Sequence, residues 1–256
     1  VRFFSLLLLF FSLSNVANAA DHSGKWFFLW GYNRADYKNS EINLSGPGYN
    51  YTLHDVKAND RPSEFQWSYL VPDMTIPQTN TRIGKYLDET SRVTFGVDHM
   101  KYIMTIGQVV NRTGTDHQGN PSNSNQQLDL NYLQYEHTDG LNYIHLGYEM
   151  LHPFWQNEYF HLSALHGPDI GLVLPKTNVT LGGYKQNHDD FNIAGYGGAY
   201  KVGLVADVGK NWFMQLEFKK GQLNMPWIRT SNSTADGASQ KIEFLESVWA
   251  LGYVFD

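Results

Sequence analysis

Residues 212–219 read Trp212-Phe213-Met214-Gln215-Leu216-Glu217-Phe218-Lys219. Trp212, Met214, Leu216 and Phe218 alternate with Phe213, Gln215, Glu217 and Lys219. A period of two is that of a β-strand, whose successive side chains point to opposite faces. One face is wholly apolar and the other turns polar after Phe213. A water-soluble sandwich would send the polar face to solvent. A membrane barrel would send it into the lumen and give the apolar face to lipid. One strand does not separate the two, so its neighbours and their connections must.

The alternation recurs at both ends of the chain. Trp26, Phe28, Trp30 and Tyr32 alternate with Phe27, Leu29, Gly31 and Asn33. Trp249, Leu251, Tyr253 and Phe255 alternate with Val248, Ala250, Gly252 and Val254. Eight strands are predicted, at 24–35, 74–87, 92–106, 140–151, 158–176, 191–207, 211–227 and 241–255. The connections alternate in length. Short ones are Asp88-Glu89-Thr90-Ser91, His152-Pro153-Phe154-Trp155-Gln156-Asn157 and Val208-Gly209-Lys210; long ones are 36–73, 107–139, 177–190 and 228–240. Both termini fall at the short-turn end. The expected fold is all-β, an up-and-down antiparallel transmembrane β-barrel of eight strands with short periplasmic turns and longer extracellular loops. Residues 40–58 and 128–136 are candidate further strands, which would make ten. Aromatic residues at the strand ends (Trp26, Tyr86, Tyr102, Trp155, Tyr159, Trp212, Tyr253, Phe255) suit interface girdles.

Composition narrows the class. The 256 residues are 17% charged and 15% aromatic, with 23 Gly, no Cys and a net charge of -6. Soluble domains average about 25% charged residues. No stretch after residue 20 approaches the ~20 apolar residues of a membrane helix, which excludes a polytopic helical protein. A hydrophobic content of 42% argues against disorder. An acidic balance without Lys/Arg runs argues against nucleic acid as a partner. The lack of Cys removes disulfide scaffolds, thiolate metal sites and Cys nucleophiles. The first 20 residues read as a signal peptide: Arg2, then an apolar run from Phe3 to Leu13, then Ala17-Asn18-Ala19 as an A-x-A cleavage site. Residues 21–256 then form the barrel domain, and export without Cys suits the outer membrane of a Gram-negative cell.

At the level of architecture the chain resembles the small outer-membrane barrels typified by OmpA-like, OmpX-like and OmpW-like proteins. More narrowly, it resembles a family of bacterial envelope proteins through several runs. These are Gly31-Tyr32-Asn33-Arg34, Thr52-Leu53-His54-Asp55-Val56-Lys57-Ala58 with Asp60-Arg61, Gly96-Val97-Asp98-His99-Met100-Lys101-Tyr102, Glu136-His137-Thr138-Asp139-Gly140-Leu141-Asn142-Tyr143, and Asn224-Met225-Pro226 before Ile228-Arg229-Thr230. Gly252-x-x-Phe255 with Tyr253 resembles the terminal strand signal of such barrels, here followed by Asp256. The resemblance implies the fold and no activity.

Polar residues on inward faces predict a lumen cluster of Arg82, Asp98, His145, Glu149, Lys201, Gln215, Glu217, Lys219 and Glu246. A buried charge is tolerated when paired and hydrogen-bonded, so the expected role is an internal plug, with a small pocket or a narrow pore as alternatives. Segment 36–73 is too aromatic for disorder. Its Tyr49, Tyr51, His54, Asp55, Asp60 and Arg61, with Phe65, Trp67, Tyr69 and Leu70, are candidates for extracellular contacts, with a cap on the barrel wall as the structural alternative. His161-x-Ser163 resembles the His-x-Ser pair of an outer-membrane lipid A deacylase, where a His base activates a Ser. His188-Asp189-Asp190, Asp98-His99 and His54-Asp55 do not make a metal set by spacing. The expected function is structural, surface-interacting or binding of a small or lipidic ligand. A lipid A-modifying hydrolase and a secreted or periplasmic soluble β-barrel binder are the alternatives. No cofactor or metal is expected. The expected partners are outer-membrane lipid and lipopolysaccharide, with the barrel-assembly machinery during biogenesis, and the chain is expected to be a monomer.

Overall fold

The alternating stretches pair edge to edge until they close. The structure, a computed structural model, describes residues 22–61, 78–121, 124–157, 160–186 and 190–256. The expectations for the signal peptide, for Phe65, Trp67, Tyr69 and Leu70, for Tyr159 and for His188 and Asp189 lie outside the described residues. The strands are β1 (Trp26–Tyr37), β2 (Ser40–Gly46), β3 (Tyr49–Val56), β4 (Ala58–Asn59), β5 (Thr79–Tyr86), β6 (Ser91–Met104), β7 (Val109–Thr115), β8 (Ser124–Gln127), β9 (Leu133–Gln156), β10 (Phe160–Pro175), β11 (Asn178–Leu181), β12 (Tyr184–Lys185), β13 (Gly195–Val208), β14 (Trp212–Arg229) and β15 (Gly237–Phe255).

Eight of them make an antiparallel ring in the order β1-β5-β6-β9-β10-β13-β14-β15, and β15 closes it by pairing back onto β1 from Trp26↔Phe255 to Tyr37↔Phe244. Stepping across the ladder from Phe27 through Gly84, Thr94, Gly147, Asp169, Ala199, Gly221 and Phe244 returns to β1 at Tyr37, ten residues further along. That stagger is the shear of the barrel, and it requires strands tilted by about 40° to the axis. Closure leaves the ring no free edge, so every backbone donor and acceptor at that level finds a partner in the wall.

The side chains are arranged inside out. Outward positions carry Trp30, Phe95, Leu146, Ile170, Leu204, Phe218 and Trp249, all exposed. Inward positions at the same level carry charged residues, all buried. Exposed apolar side chains around a buried polar interior are what a lipid-facing wall requires. The fold is an eight-stranded, up-and-down transmembrane β-barrel.

The connections differ from the sequence reading in three places. His152 to Gln156 is strand, not turn: β9 runs on to Gln156, with an irregularity where its pairing to β10 shifts between Leu162 and Ser163. Pro153 sits at this irregularity, where a missing N–H costs no ladder bond. Segment 40–58 is a hairpin, β2–β3, but it adds nothing to the ring. It pairs with the far end of β15 (Gln240↔Ile42 to Gly237↔Ser45) and passes the sheet on to β7 and β8. Residues 128–136 contain the start of β9, which pairs with β11 beyond the ring. The ring therefore holds eight strands, and both further segments heighten the wall on the long-loop side.

Candidate functional site

The lumen is built from the inward-facing half of each alternating strand. All nine residues of the sequence-derived cluster meet here and are buried, along with Arg92 and Asp169, which the sequence reading missed. Arg82 on β5 grips Glu217 on β14 with both ends of its guanidinium, Nη1 to Oε2 at 2.7 Å and Nη2 to Oε1 at 2.5 Å. It also donates to Asn80 Oδ1 at 3.0 Å. Arg92 on β6 donates to Glu149 Oε2 at 2.6 Å, Gln215 Oε1 at 2.5 Å and Tyr86 Oη at 2.9 Å. Lys201 Nζ lies 2.7 Å from Glu149 Oε1 and 2.8 Å from Asp169 Oδ1. Lys219 binds Asp98 and stands 3.4 Å from Asp169 and 3.7 Å from Glu246. His145 fits between Asp98 (Nε2 to Oδ1, 3.1 Å) and Asp169 (Nδ1 to Oδ1, 3.5 Å). Glu246 accepts from Asn80 Nδ2 at 3.0 Å. Planar, bidentate Arg–carboxylate pairing is the strong form of charge-assisted bonding; Arg82 Nε, Asp169 Oδ2 and Glu246 Oε2 make no hydrogen bond among the described residues, and the interlocked charge pairing is what lets the cluster be buried.

Glycine makes room for these side chains. A Cβ on Gly96 would lie 2.7 Å from Arg82 Cγ, and one on Gly147 would lie 2.3 Å from Asp169 Oδ1. The charged layer is closed at both ends. Toward the short turns lie Phe27, Leu29, Tyr86, Leu151, Leu165, Val205, Phe213 and Val254. Arg92 rests on this layer, its guanidinium 4.5 Å from the Phe27 ring centre. Toward the long loops, Tyr143 stacks on His145 at 5.0 Å. A larger apolar core follows that includes Ile42, Leu44, Tyr51, Leu53, Met100, Tyr102, Tyr135, Leu141, Met225 and Ile242. Among the described residues, oil, charge and oil follow one another along the lumen.

The six extracellular candidates do not converge. Tyr49 Oη donates to Asp236 Oδ1 at 3.1 Å, tying the β2–β3 turn to the loop before β15. Tyr51 points into the upper core, 3.1 Å from His117 Nδ1. Burial, then the charge of Asp236, pushes the Tyr49 phenol up, and burial does the same to Tyr51, so both phenols stay neutral. His54 sits on the hairpin's outer face between Glu41 (2.6 Å) and Thr113 (3.0 Å). Asp55 takes a left-handed backbone with φ 56° at the end of β3. Asp60 accepts the Ala35 N–H at 3.1 Å and the Gln78 amide. Arg61 is exposed at the last described residue of this segment. Nearby, burial alone would raise the Asp116 carboxyl. Backbone N–H bonds from Asn120 and Gln118, with Arg112 beside it, outweigh that and hold it below its usual range. Among the described residues these contacts staple the hairpin to its neighbours and do not bring the six side chains together.

His161 and Ser163 lie on the inward face of β10 near the short turns, and Asp207 is the ladder partner of His161. Asp98 and His99 take opposite faces of β6; His99 bonds to Asn142 Oδ1 at 2.7 Å, not to its neighbour's partners.

No protein-family model matches the chain. No curated protein matches it. Among solved structures the chain is similar to Ail, the attachment invasion locus protein of Yersinia pestis, at 12% identity and a TM-score of 0.35, covering 91% of this chain and 99% of that one. It is similar to the outer membrane protein OprG of Pseudomonas aeruginosa at 9% identity and a TM-score of 0.42, covering 91% and 97%. It is also similar to Neisserial surface protein A at 10% identity and a TM-score of 0.38, covering 90% and 97%. The barrel assignment stands on the closed ladder and the inverted distribution of side chains, independently of these similarities.

Proposed function

We propose that this protein is a closed outer-membrane barrel that acts through its outer surfaces and does not conduct through its lumen. One observation carries the reading. Four cations (Arg82, Arg92, Lys201, Lys219) and five carboxylates (Asp98, Glu149, Asp169, Glu217, Glu246) are buried and interlocked between two apolar layers. A conducting lumen would need water along that path. The outward apolar belt supports the membrane setting, and the sheet raised above the long-loop side supports a surface for contact outside the cell. No catalytic step is assigned: the His161-x-Ser163 pair faces the interior near the short turns, on the side of the wall away from lipid.

The test is reconstitution. Protein refolded in detergent is run on SDS gels cold and boiled, and then fused into planar bilayers. The expected result is a gel shift on boiling, because a closed ladder resists SDS until heated, and an absence of discrete conductance steps. Reproducible unitary steps would overturn the closed-lumen reading. Solubility in plain buffer without a gel shift would overturn the membrane reading.

A further inference from the structure

The outer wall carries a groove that neither the lumen network nor the belt explains. It is a shallow depression, open to the outside, across β13, β14 and β15, lined by Gly198, Tyr200, Lys220, Gln222 and Glu243. Gly198 faces outward, so the wall has no side chain there. Its outward neighbours along β13 are Tyr196 and Tyr200, and both rings are tied by hydrogen bonds to other groups. Tyr196 Oη accepts from Asn224 Nδ2 at 2.9 Å. Tyr200 Oη lies 2.6 Å from His166 Nδ1. His166 is in turn braced by His152, Nε2 to Nε2 at 2.9 Å, with the two rings stacked at 5.0 Å. Imidazoles on a lipid-facing wall are costly and call for a function. Here they hold Tyr200 against β10 and keep the groove over Gly198 open.

The rim carries both signs of charge, and the Glu243 carboxylate feels Lys38 first and Lys220 less strongly. Glu243 is occupied by Lys38 at 2.5 Å. Lys220, the ladder partner of Tyr200, makes no ion pair among the described residues. Below the groove the wall is apolar, with Val202, Phe218 and Leu245 exposed; above it, Gln222 and Lys241 are exposed and polar. On its β14–β15 side the groove thus sits where the belt gives way to polar residues, toward the long loops, while on its β10 side Ile170, the ladder partner of Gly198, keeps the wall apolar. Given the membrane orientation proposed above, on which this inference rests, that level meets the headgroups of the outer leaflet. We propose that the groove binds the headgroup of a phosphorylated glycolipid. Lys220 receives the phosphate, the Gln222 amide meets hydroxyl or amide groups, and the sugar ring lies over Gly198 between the two tyrosines.

The experiment compares bisphosphorylated lipid A with its dephosphorylated form, each titrated against the refolded protein in detergent and read by native mass spectrometry. Wild type is expected to bind the phosphorylated form at least about tenfold more tightly. Lys220→Ala should erase that preference. Gly198→Leu should abolish binding of both forms. A Cβ at Gly198 meets only the Asp169 carbonyl at 3.6 Å, so this variant fills the groove without straining the wall. His166→Leu, which frees Tyr200, should weaken both forms together. Equal binding of the two lipids by wild type, wild-type binding by Gly198→Leu, or displacement of lipid by inorganic phosphate alone would each overturn the proposal. The cold-versus-boiled gel shift is recorded for every variant. A retained shift separates failure of the groove from failure of the barrel reading.

Discussion

Two halves of one strand make the comparison that organises this molecule. On β15, Glu246 points inward into the charged layer, while Leu245, Trp249 and Leu251 point outward and are exposed. A few residues further toward the long loops the signs reverse. Ile242 and Phe244 point inward into the upper core, and Lys241 faces out. The period of two does not change, and neither does the ladder to β14. Only the surroundings change, from lipid outside a polar lumen to water outside an apolar core. A β-strand has no preference about which face is oily. The solvent on each side decides, and one continuous sheet can serve as a membrane wall and as a water-soluble β-structure at successive heights.

The two regions should break differently, and the largest effect is expected in the lumen. Glu217→Ala removes the carboxylate that Arg82 grips and leaves a buried cation short of partners. Breaking one side of a buried pair costs about 3–5 kcal/mol. The temperature at which the folded SDS-gel band disappears should fall sharply. An unchanged temperature would mean that Glu217 faces water. In the upper region the corresponding change is Leu53→Ala, which empties a fully buried apolar position. A cost of about 3 kcal/mol is expected, but confined to the raised sheet. Protease should then cut within 40–60 while the gel shift persists.

The third prediction sharpens the contrast by pH. His137 lies in the upper core, between Thr177 Oγ1 at 2.9 Å and Gln240 Oε1 at 3.3 Å. Burial pushes its pKa down to about 4, with the Gln240 bond opposing. The folded imidazole is held neutral, while the unfolded one has an ordinary pKa near 6.5. The unfolded state therefore takes up a proton first as pH falls. The stability is fully present above about pH 6.5, is lost progressively as pH drops toward 4, and amounts to at most about 3 kcal/mol. Hydrogen exchange of β9 and β11 amides should accelerate across that window, and His137→Gln should flatten the dependence. Acceleration that persists in the variant would place the titrating group elsewhere.

How much of this was legible in the sequence follows from the same physics. Within the membrane band, alternation is sharp because lipid disfavours polar side chains on one face. The strand read at 211–227 runs in fact from Trp212 to Arg229, and that read at 241–255 ends at Phe255. The raised sheet was harder to read, because β2, β3, β7 and β11 are short, each offering only a few alternating residues between turns. The end of β9 was misread because Pro153 beside His152 looks like a turn, whereas a bulge can absorb it. Arg92 went unnoticed at the edge of a turn, although it shares the parity of Thr94, Gly96 and Asp98. Asp169 carried a better signal: it lies between Gly167 and Gly171 on one face of β10, the small residues marking where a neighbour comes close. The partners of each lumen charge were beyond the sequence, since the stagger of the ring sets which strands face each other across the lumen. The same is true of the outer groove, whose opening depends on where two tyrosine rings are tied.

The reversal along β15 can be measured directly, because the chain contains no Cys and a single one can be introduced at will. Leu251→Cys and Lys241→Cys are each labelled with a nitroxide, and the refolded proteins are placed in lipid vesicles. Collisions with oxygen, which concentrates in the bilayer, are compared with collisions with a water-soluble nickel chelate. The account predicts that the label at 251 meets oxygen and is shielded from nickel, and that the label at 241 meets nickel. Equal access of nickel to both positions would contradict it.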